Sequence, residues 1–219
     1  MRVGLSNRYE SPTLILEPPL VVQTEAPGTA RLPASSERRA RAIDAFIDLV
    51  LEGHLPPTSD QVARRAGISM ATLFRYFEKL DDLRRDAAAR TLERFPLFQI
   101  PEIGLGPRDD RIERFAAVRV ALWEEIHLLA RLQRSTTLKD PGAAAMVDFG
   151  RRAMADQVRE HFSPELRGLT AAKREDAVAT IASLTSVESW EQFRNGSGRS
   201  PIQTRRAWCR AIDRILTNP

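Results

Sequence analysis

Residues 58–83 read TSDQVARRAGISMATLFRYFEKLDDL and carry the signals for two short helices joined by a tight turn. Thr58 and Gln61, three residues apart, form a capping box, because each side chain can satisfy an unpaired N–H at a helix start. Gly67 supplies the left-handed conformation that ends this first helix, and Ser69 can begin a second one. The pattern predicts a helix-turn-helix, whose second helix fits the DNA major groove.

Apolar residues around this pair predict how it is anchored. Leu73, Phe74 and Phe77 in the second helix are interpreted as core residues, because a helix of this length needs one buried face. A preceding helix, from Ser35 or Ser36 to about Glu52, has a wide apolar stripe of its own.

The same positions resemble a known family. The matching residues are Ala63, residues 66–69, 72–73 and 76–77, and Leu83, with further similarity at Ile43, Phe46 and Gly53. Residues 38–85 thus resemble the DNA-binding domain of the tetracycline-repressor (TetR) family of bacterial transcription regulators. This spacing is more specific than a lone helix-turn-helix.

Three positions depart from that family's pattern. Ala71 stands where many members have glycine, and Phe74 stands where many have tyrosine, so a phosphate-binding hydroxyl is lost. Leu80 occupies the usual lysine position. Lys79 lies one residue earlier, about 100° round a helix.

The resemblance implies which residues contact DNA. Residues 69–76, beginning with Ser69, would enter the major groove, with Met70, Ala71 and Arg75 facing base edges. Thr58, Thr72, Tyr76 and Lys79 would hold phosphates, and Arg38 and Arg39 would lie near the DNA backbone.

Composition and charge agree with a helical DNA-binding protein without establishing one. The 219 residues are 42% hydrophobic and 6% aromatic, which favours helices over sheets and suffices for a buried core. The net charge of +4 suits a polyanionic partner. Residues 36–95 hold 11 Arg or Lys and 10 Asp or Glu, so a DNA-facing surface must be a local patch. The candidates are Arg38, Arg39, Arg41, Arg75 and Lys79.

Several function classes receive no support from the sequence. A single cysteine, Cys209, excludes an intramolecular disulfide, and the three histidines are scattered, so no metal or other cofactor is predicted. No apolar run approaches the roughly 18 residues of a membrane span, and no signal-peptide pattern is present, so a cytoplasmic protein without a membrane partner is expected. No catalytic constellation stands at a recognisable spacing, so an enzyme is not predicted.

Proline and glycine suggest the domain organisation. Residues 1–35 hold five of the 14 prolines and are predicted to form a disordered or extended arm. Residues 36–95 would form the DNA-binding domain with a linking helix over 80–95, and residues 96–107 would form a boundary. Residues 108–219 would form a helical effector-binding and dimerisation domain, with helices over 111–134, 140–162 and 171–194 and a last one after Pro201.

Two functions of the second domain follow from the resemblance. Wide apolar stripes on the last two helices resemble the pair with which family members form a four-helix bundle, which predicts a homodimer. The predicted interface residues are Leu184, Val187, Trp190, Phe193, Trp208, Ile212 and Ile215. Aromatic and methionine side chains would line a cavity for a largely apolar small-molecule effector. These are Phe115, Trp123, His127, Met146, Phe149 and Met154.

We interpret the sequence as an all-α, homodimeric transcription regulator that binds a palindromic operator in double-stranded DNA. Repression is favoured, because a dimer on an operator obstructs polymerase without further parts. Two alternatives stay open: a ligand-responsive activator of the same fold, and a helical interaction or sequestering protein that no longer reads DNA. Ala71, Phe74, Leu80 and the small charge of residues 36–95 keep the second alternative open.

Overall fold

The computed structural model describes residues 34–217, and every regular element in that range is helical. The all-α prediction is confirmed. Residues 1–33 of the predicted arm lie outside the described residues, whereas residues 34 and 35 already belong to the first helix. The described α-helices are α1 (Ala34–Leu51), α2 (Ser59–Ala66), α3 (Met70–Tyr76), α4 (Leu80–Arg94), α5 (Arg108–Ser135), α6 (Pro141–His161), α7 (Ser163–Leu166), α8 (Ala171–Leu184), α9 (Val187–Glu191) and α10 (Pro201–Thr217).

The first four helices are organised by the apolar stripe of α1. Ile47 and Val50 in this stripe are fully buried, and α2, α3 and α4 all contact α1. Val62 of α2 and Leu83 of α4 are also fully buried. Burial of such side chains is the main favourable term in folding, so α1 acts as the platform for the helix-turn-helix.

The long helix α5 joins the two hydrophobic clusters of the described chain. Its residues Leu122 and Trp123 lie in a cluster that includes α1, α4 and α10, while Ile112 and Phe115 lie in a cluster with α6, α7 and α8. Because α1 also packs directly on α5, the first cluster continues across the predicted boundary at residues 96–107. The division into two domains stays a prediction.

The prediction of one continuous helix over residues 171–194 is wrong, because the helix ends at Leu184. Thr185 directs its hydroxyl to the Ile181 carbonyl at 2.8 Å, and its own carbonyl accepts a hydrogen bond from Trp123 Nε1 at 2.8 Å. Ser186 then caps the separate helix α9. A buried side chain from α5 therefore takes a carbonyl that a continuous helix would have used.

A buried polar cluster fastens the end of the segment 96–107 to the helical body. His161 is fully buried; its Nε2 donates to the Arg111 carbonyl at 2.9 Å, and its Nδ1 accepts from the Gly104 N–H at 3.2 Å. Arg111 pairs with Glu165 and donates to the Gly106 carbonyl at 2.6 Å. These bonds require the neutral imidazole with its hydrogen on Nε2.

His161 should make stability depend on pH. Burial lowers the pKa of His161 below its ordinary value of 6.5, so the folded chain favours the neutral ring. The unfolded chain binds a proton below about pH 6.5, so the free energy of unfolding should fall as the pH drops through that value. We expect the melting temperature of the wild type to fall further than that of His161→Gln between about pH 7.5 and pH 5.5. If the melting temperatures of the two proteins fell by the same amount over this pH range, a neutral, buried His161 would be contradicted.

No described helix is long and apolar enough to cross a lipid bilayer.

Candidate nucleic-acid interface

Local capping positions the helix-turn-helix. The Gln61 N–H donates to Thr58 Oγ1 at 3.2 Å, and the Thr58 N–H donates to Gln61 Oε1 at 2.8 Å, so the capping box is present. Gly67 has φ 66° and ends α2 in the left-handed region, which side chains rarely adopt. Ser69 Oγ then accepts from the Thr72 N–H at 3.1 Å and begins α3. The helix-turn-helix prediction is confirmed.

Helix α3 buries one side and exposes the other. Leu73 is 1% exposed and Phe77, one turn later, is 2% exposed, whereas Phe74 is 47% exposed. Successive helical residues are rotated by about 100°, so Phe74 points away from the side shared by Leu73 and Phe77. The prediction that Phe74 belongs to the core is wrong. We call the exposed side of α3 the reading face; its residues are Met70, Ala71, Phe74 and Arg75.

The charges around this face fall into two groups. Arg75 has no ion-pair partner among the described residues, and its guanidinium carbon lies 5.4 Å from the Tyr76 ring centroid. Arg38, Arg41 and Lys79 are also exposed and have no ion pair within residues 34–217. These four side chains keep their charge available to a polyanion.

Arg39 belongs to the other group. It pairs with Asp86 of α4, and its guanidinium carbon lies 5.0 Å from the Phe77 ring centroid. Its charge is therefore matched within the chain, and its structural role is to hold α1 against α4. The contact of Arg39 with the DNA backbone stays a prediction.

The residues predicted to contact phosphates differ in how exposed their hydroxyl groups are. Thr58 and Ser69 are exposed, and Thr72 is half-buried with its hydroxyl 3.0 Å from the Ser69 hydroxyl. The Tyr76 hydroxyl is buried and has no hydrogen-bond partner among the described residues. A phosphate cannot reach an enclosed hydroxyl, so the predicted contact through Tyr76 is wrong for this conformation.

A cavity of about 580 Å³ lies along α4. Residues from α4, α5 and α6 form most of its lining, with contributions from α8 and α9. Of the predicted effector contacts, four line it: Trp123, Met146, Phe149 and Met154.

The other two predicted contacts do not line the cavity. Phe115 packs against Phe162 and His161, with ring centroids 5.2 Å and 5.6 Å away, in the other hydrophobic cluster. His127 stacks on Trp190 at 4.6 Å, and its Nδ1 lies 3.1 Å from the Trp123 carbonyl. Phe115 and His127 therefore do not line this cavity, which corrects the sequence-based expectation for both.

Sequence reasoning missed the contribution of α1 and α4 to this cavity. Phe46 of α1 and Ala87, Thr91 and Leu92 of α4 all line it. The weak apolar periodicity of α4 gave no signal of a second face. The cavity-lining side of α4 becomes recognisable only in the folded chain, where α6 contributes to the same cavity.

The charged groups that line the cavity are paired within the chain. Arg84 lies 3.3 Å from Asp140, and Arg134 lies 3.0 Å from Glu188 and 2.9 Å from Glu191. Because these charges are already balanced, the remaining lining is largely apolar, which suits a ligand with an apolar body.

Four of the seven predicted dimer-interface residues are buried within one chain. Val187 and Trp190 are 7% and 3% exposed, and Trp208 and Ile212 are fully buried. Trp208 packs edge-on against Phe193 at 6.2 Å, and Trp190 donates to Glu124 at 2.9 Å. Side chains already covered by their own chain have little surface for a partner, so the prediction is corrected for these four. Leu184, Phe193 and Ile215 are half-buried.

Comparison with known proteins places this arrangement of helices in a known fold. No protein-family model matches the chain, and no curated protein sequence matches it. A solved TetR-family transcriptional regulator from Streptomyces coelicolor is similar over 83% of this chain and 81% of its own, with 20% identity and a TM-score of 0.66. A TetR transcriptional regulator from Rhodococcus sp. RHA1 is similar over 85% of this chain and 99% of its own, with 20% identity and a TM-score of 0.52.

The multidrug binding protein EbrR, solved in complex with imidazole, is similar over 83% of this chain and 96% of its own, with 17% identity and a TM-score of 0.53. The chain therefore has the fold of TetR-type transcriptional regulators. The resemblance inferred from residues 38–85 is confirmed at the level of the fold.

Proposed function

We propose that the protein is a transcription regulator whose helix α3 reads double-stranded DNA. The observation that carries this proposal is the reading face: Met70, Ala71, Phe74 and Arg75 are all exposed while Leu73 anchors the helix from behind. Short amphipathic helices normally keep large apolar side chains inside, so an exposed apolar face on a helix-turn-helix indicates a contact surface. The shared fold with solved regulators supports the same use.

The chemistry of this face suits the major groove. An unpaired arginine such as Arg75 can bond both acceptors of a guanine edge, and Ala71 and Phe74 can contact the methyl groups of thymines. Arg38, Arg41 and Lys79 would contribute phosphate contacts, which position the protein without specifying sequence. In this proposal Phe74 replaces the phosphate contact of a tyrosine by an apolar contact with bases.

Arg75→Ala should relax sequence preference at one base pair of each half-site. Loss of a bidentate contact costs about 1–3 kcal/mol in discrimination, or roughly 5–150-fold. Selection of bound duplexes from a random pool measures this directly. Arg64→Ala is the matched control, because Arg64 pairs with Asp60 on the exposed side of α2. A wild-type binding profile for Arg75→Ala would remove Arg75 from the reading face.

We infer that the regulator acts as a homodimer on a palindromic operator. Two-fold symmetry would place the two α3 helices about 34–36 Å apart, one turn of DNA. With the four buried residues excluded, the interface would use the outward sides of α8 and α10. Repression remains the favoured outcome, and an activator would differ by the position of its site relative to the promoter.

We further infer that the cavity binds a small molecule that controls DNA binding. Helix α4 follows the helix-turn-helix directly and lines the cavity, so a ligand that prefers one position of α4 would shift the DNA-reading helices. The multidrug binding by EbrR shows that a protein of this fold takes small molecules. The apolar lining supports an effector with an apolar body.

A further inference from the structure

Arg119 of α5 is a buried cation without a carboxylate partner among the described residues. It is 1% exposed, and its Nη2 donates to Gln157 Oε1 at 2.7 Å and lies 3.5 Å from the Met154 carbonyl. Its Nη1 is buried and has no hydrogen-bond partner within residues 34–217. The guanidinium carbon lies 5.0 Å from the Phe115 ring centroid, which is its remaining electrostatic contact.

The other deeply buried arginine shows the usual arrangement. Arg111, 6% exposed, pairs with Glu165, so its charge is balanced where it is buried. A buried charge is costly unless it is paired and hydrogen-bonded. Burial lowers the pKa of Arg119 to about 9, so the side chain remains protonated at neutral pH and the charge remains unbalanced.

Arg119 lies directly behind one wall of the cavity. Met154 lines the cavity and also presents its carbonyl to Arg119. Gln157, the partner of Arg119, donates to the carbonyl of Phe98, which lines the cavity as well. Trp123, one helical turn after Arg119, is a third lining residue. Methionine side chains are unbranched and adaptable, so Met154 can yield to a ligand that extends toward Arg119.

We propose that the cavity takes an amphipathic carboxylate and that Arg119 is the counter-charge for its carboxylate group. The apolar lining accommodates the body of such a molecule. The three arginines in the lining are already paired: Arg84 with Asp140, Arg134 with Glu188 and Glu191, and Arg151 with Asp148 and Glu188. Arg119, which lies behind the residues that line the cavity, still lacks an anionic partner among the described residues. A guanidinium and a carboxylate form a strong, directional pair when both are shielded from water. The inference rests on the proposed ligand-binding role of the cavity and is independent of DNA binding.

Calorimetric titration of the full chain with decanoate and with decanamide tests the proposal. The two probes share an apolar chain and differ in charge. We expect decanoate to bind at least about tenfold more tightly than decanamide, because only the carboxylate gains the charge-assisted pair. Arg119→Met should bind decanamide as the wild type does and lose the preference for decanoate. Methionine keeps much of the apolar volume without a buried charge, so the variant should also fold.

Matched variants make each outcome decisive. Arg131→Met removes an exposed arginine from the same helix and should keep the preference. Arg119→Gln serves as a second charge-free variant should Arg119→Met fail to fold. Equal binding of both probes by the wild type, binding of neither, or a preference retained without Arg119 would overturn the proposal. Duplex binding, measured on the same preparations, reports separately on the regulator function, because its failure would leave the decanoate result unaffected.

Discussion

Leu73→Ala is expected to lower the free energy of unfolding by about 2–5 kcal/mol, the usual cost of emptying a packed leucine site. Leu73 is the one buried residue of α3 in the described chain, at 1% exposure, so its truncation removes the anchor of the reading face. DNA binding should fall with it, because α3 would no longer be held in one orientation. Urea unfolding and duplex binding measure the two effects.

Phe74→Ala is the matched control for this prediction. Phe74 is the next residue and also apolar, yet it is 47% exposed, so the free energy of unfolding should change by no more than about 0.5 kcal/mol. Its DNA affinity should nevertheless fall, since the proposed contact of Phe74 with bases would be removed. If Phe74→Ala proved as destabilising as Leu73→Ala, Phe74 would be a core residue and the reading face would not exist as described.

Removing the carboxylate of Glu165 is the second change with a large expected effect. Glu165→Ala would leave Arg111 buried without its partner, at side-chain exposures of 7% for Arg111 and 12% for Glu165 in the wild type. Breaking a buried pair on one side typically costs about 3–5 kcal/mol. The midpoint of urea unfolding should fall accordingly. The hydrogen bonds from Arg111 to the Gly106 carbonyl and from the Gly104 N–H to His161 should loosen.

An exposed ion pair provides the comparison. Glu93→Ala breaks the pair with Arg90, whose side chains are 69% and 44% exposed, and should leave the midpoint nearly unchanged because exposed pairs contribute little. The double variant Arg111→Met/Glu165→Leu should recover much of the loss, since no unpaired charge remains. A loss for Glu165→Ala no larger than that for Glu93→Ala would show that Arg111 finds water or another partner.

Local signals predicted the elements that define the fold. The capping box of Thr58 and Gln61, the left-handed Gly67 and the cap at Ser69 act within a few residues, so the sequence contains everything needed to place them. The apolar stripe of α1 is similarly local, because a helix of this length repeats its buried face several times.

The sequence-based predictions fail where a residue that is distant in the sequence determines the local structure. The helix predicted over residues 171–194 is interrupted where Trp123, on another helix, donates to the Thr185 carbonyl. A seven-residue helix offers two turns of pattern, too few to show which of the adjacent residues Leu73 and Phe74 belongs to the buried face. Burial of the Tyr76 hydroxyl and the pairing of Arg39 with Asp86 likewise depend on packing between helices.

The candidate site was predicted in part for the same reason. Met70, Ala71 and Arg75 are exposed, as their base-facing positions implied by the family resemblance require. The cavity and the buried Arg119 required the packing of α4, α5 and α6, which no local pattern contains. Arg119 stands in an apolar face of α5 in the sequence, and an arginine at such a position is the signal that could have identified it.

The central claim is that α3 reads a DNA sequence, and duplex binding by the purified chain tests it most directly. The duplex upstream of the protein's own gene should be compared with a scrambled duplex at two salt concentrations, because phosphate contacts weaken with salt while base discrimination persists. We predict tighter binding to the native duplex at both salt concentrations, with the preference reduced by Arg75→Ala and Phe74→Ala. Equal binding to both duplexes that disappears at the higher salt concentration, together with no enriched sequence in a genome-wide selection of bound fragments, would contradict the account.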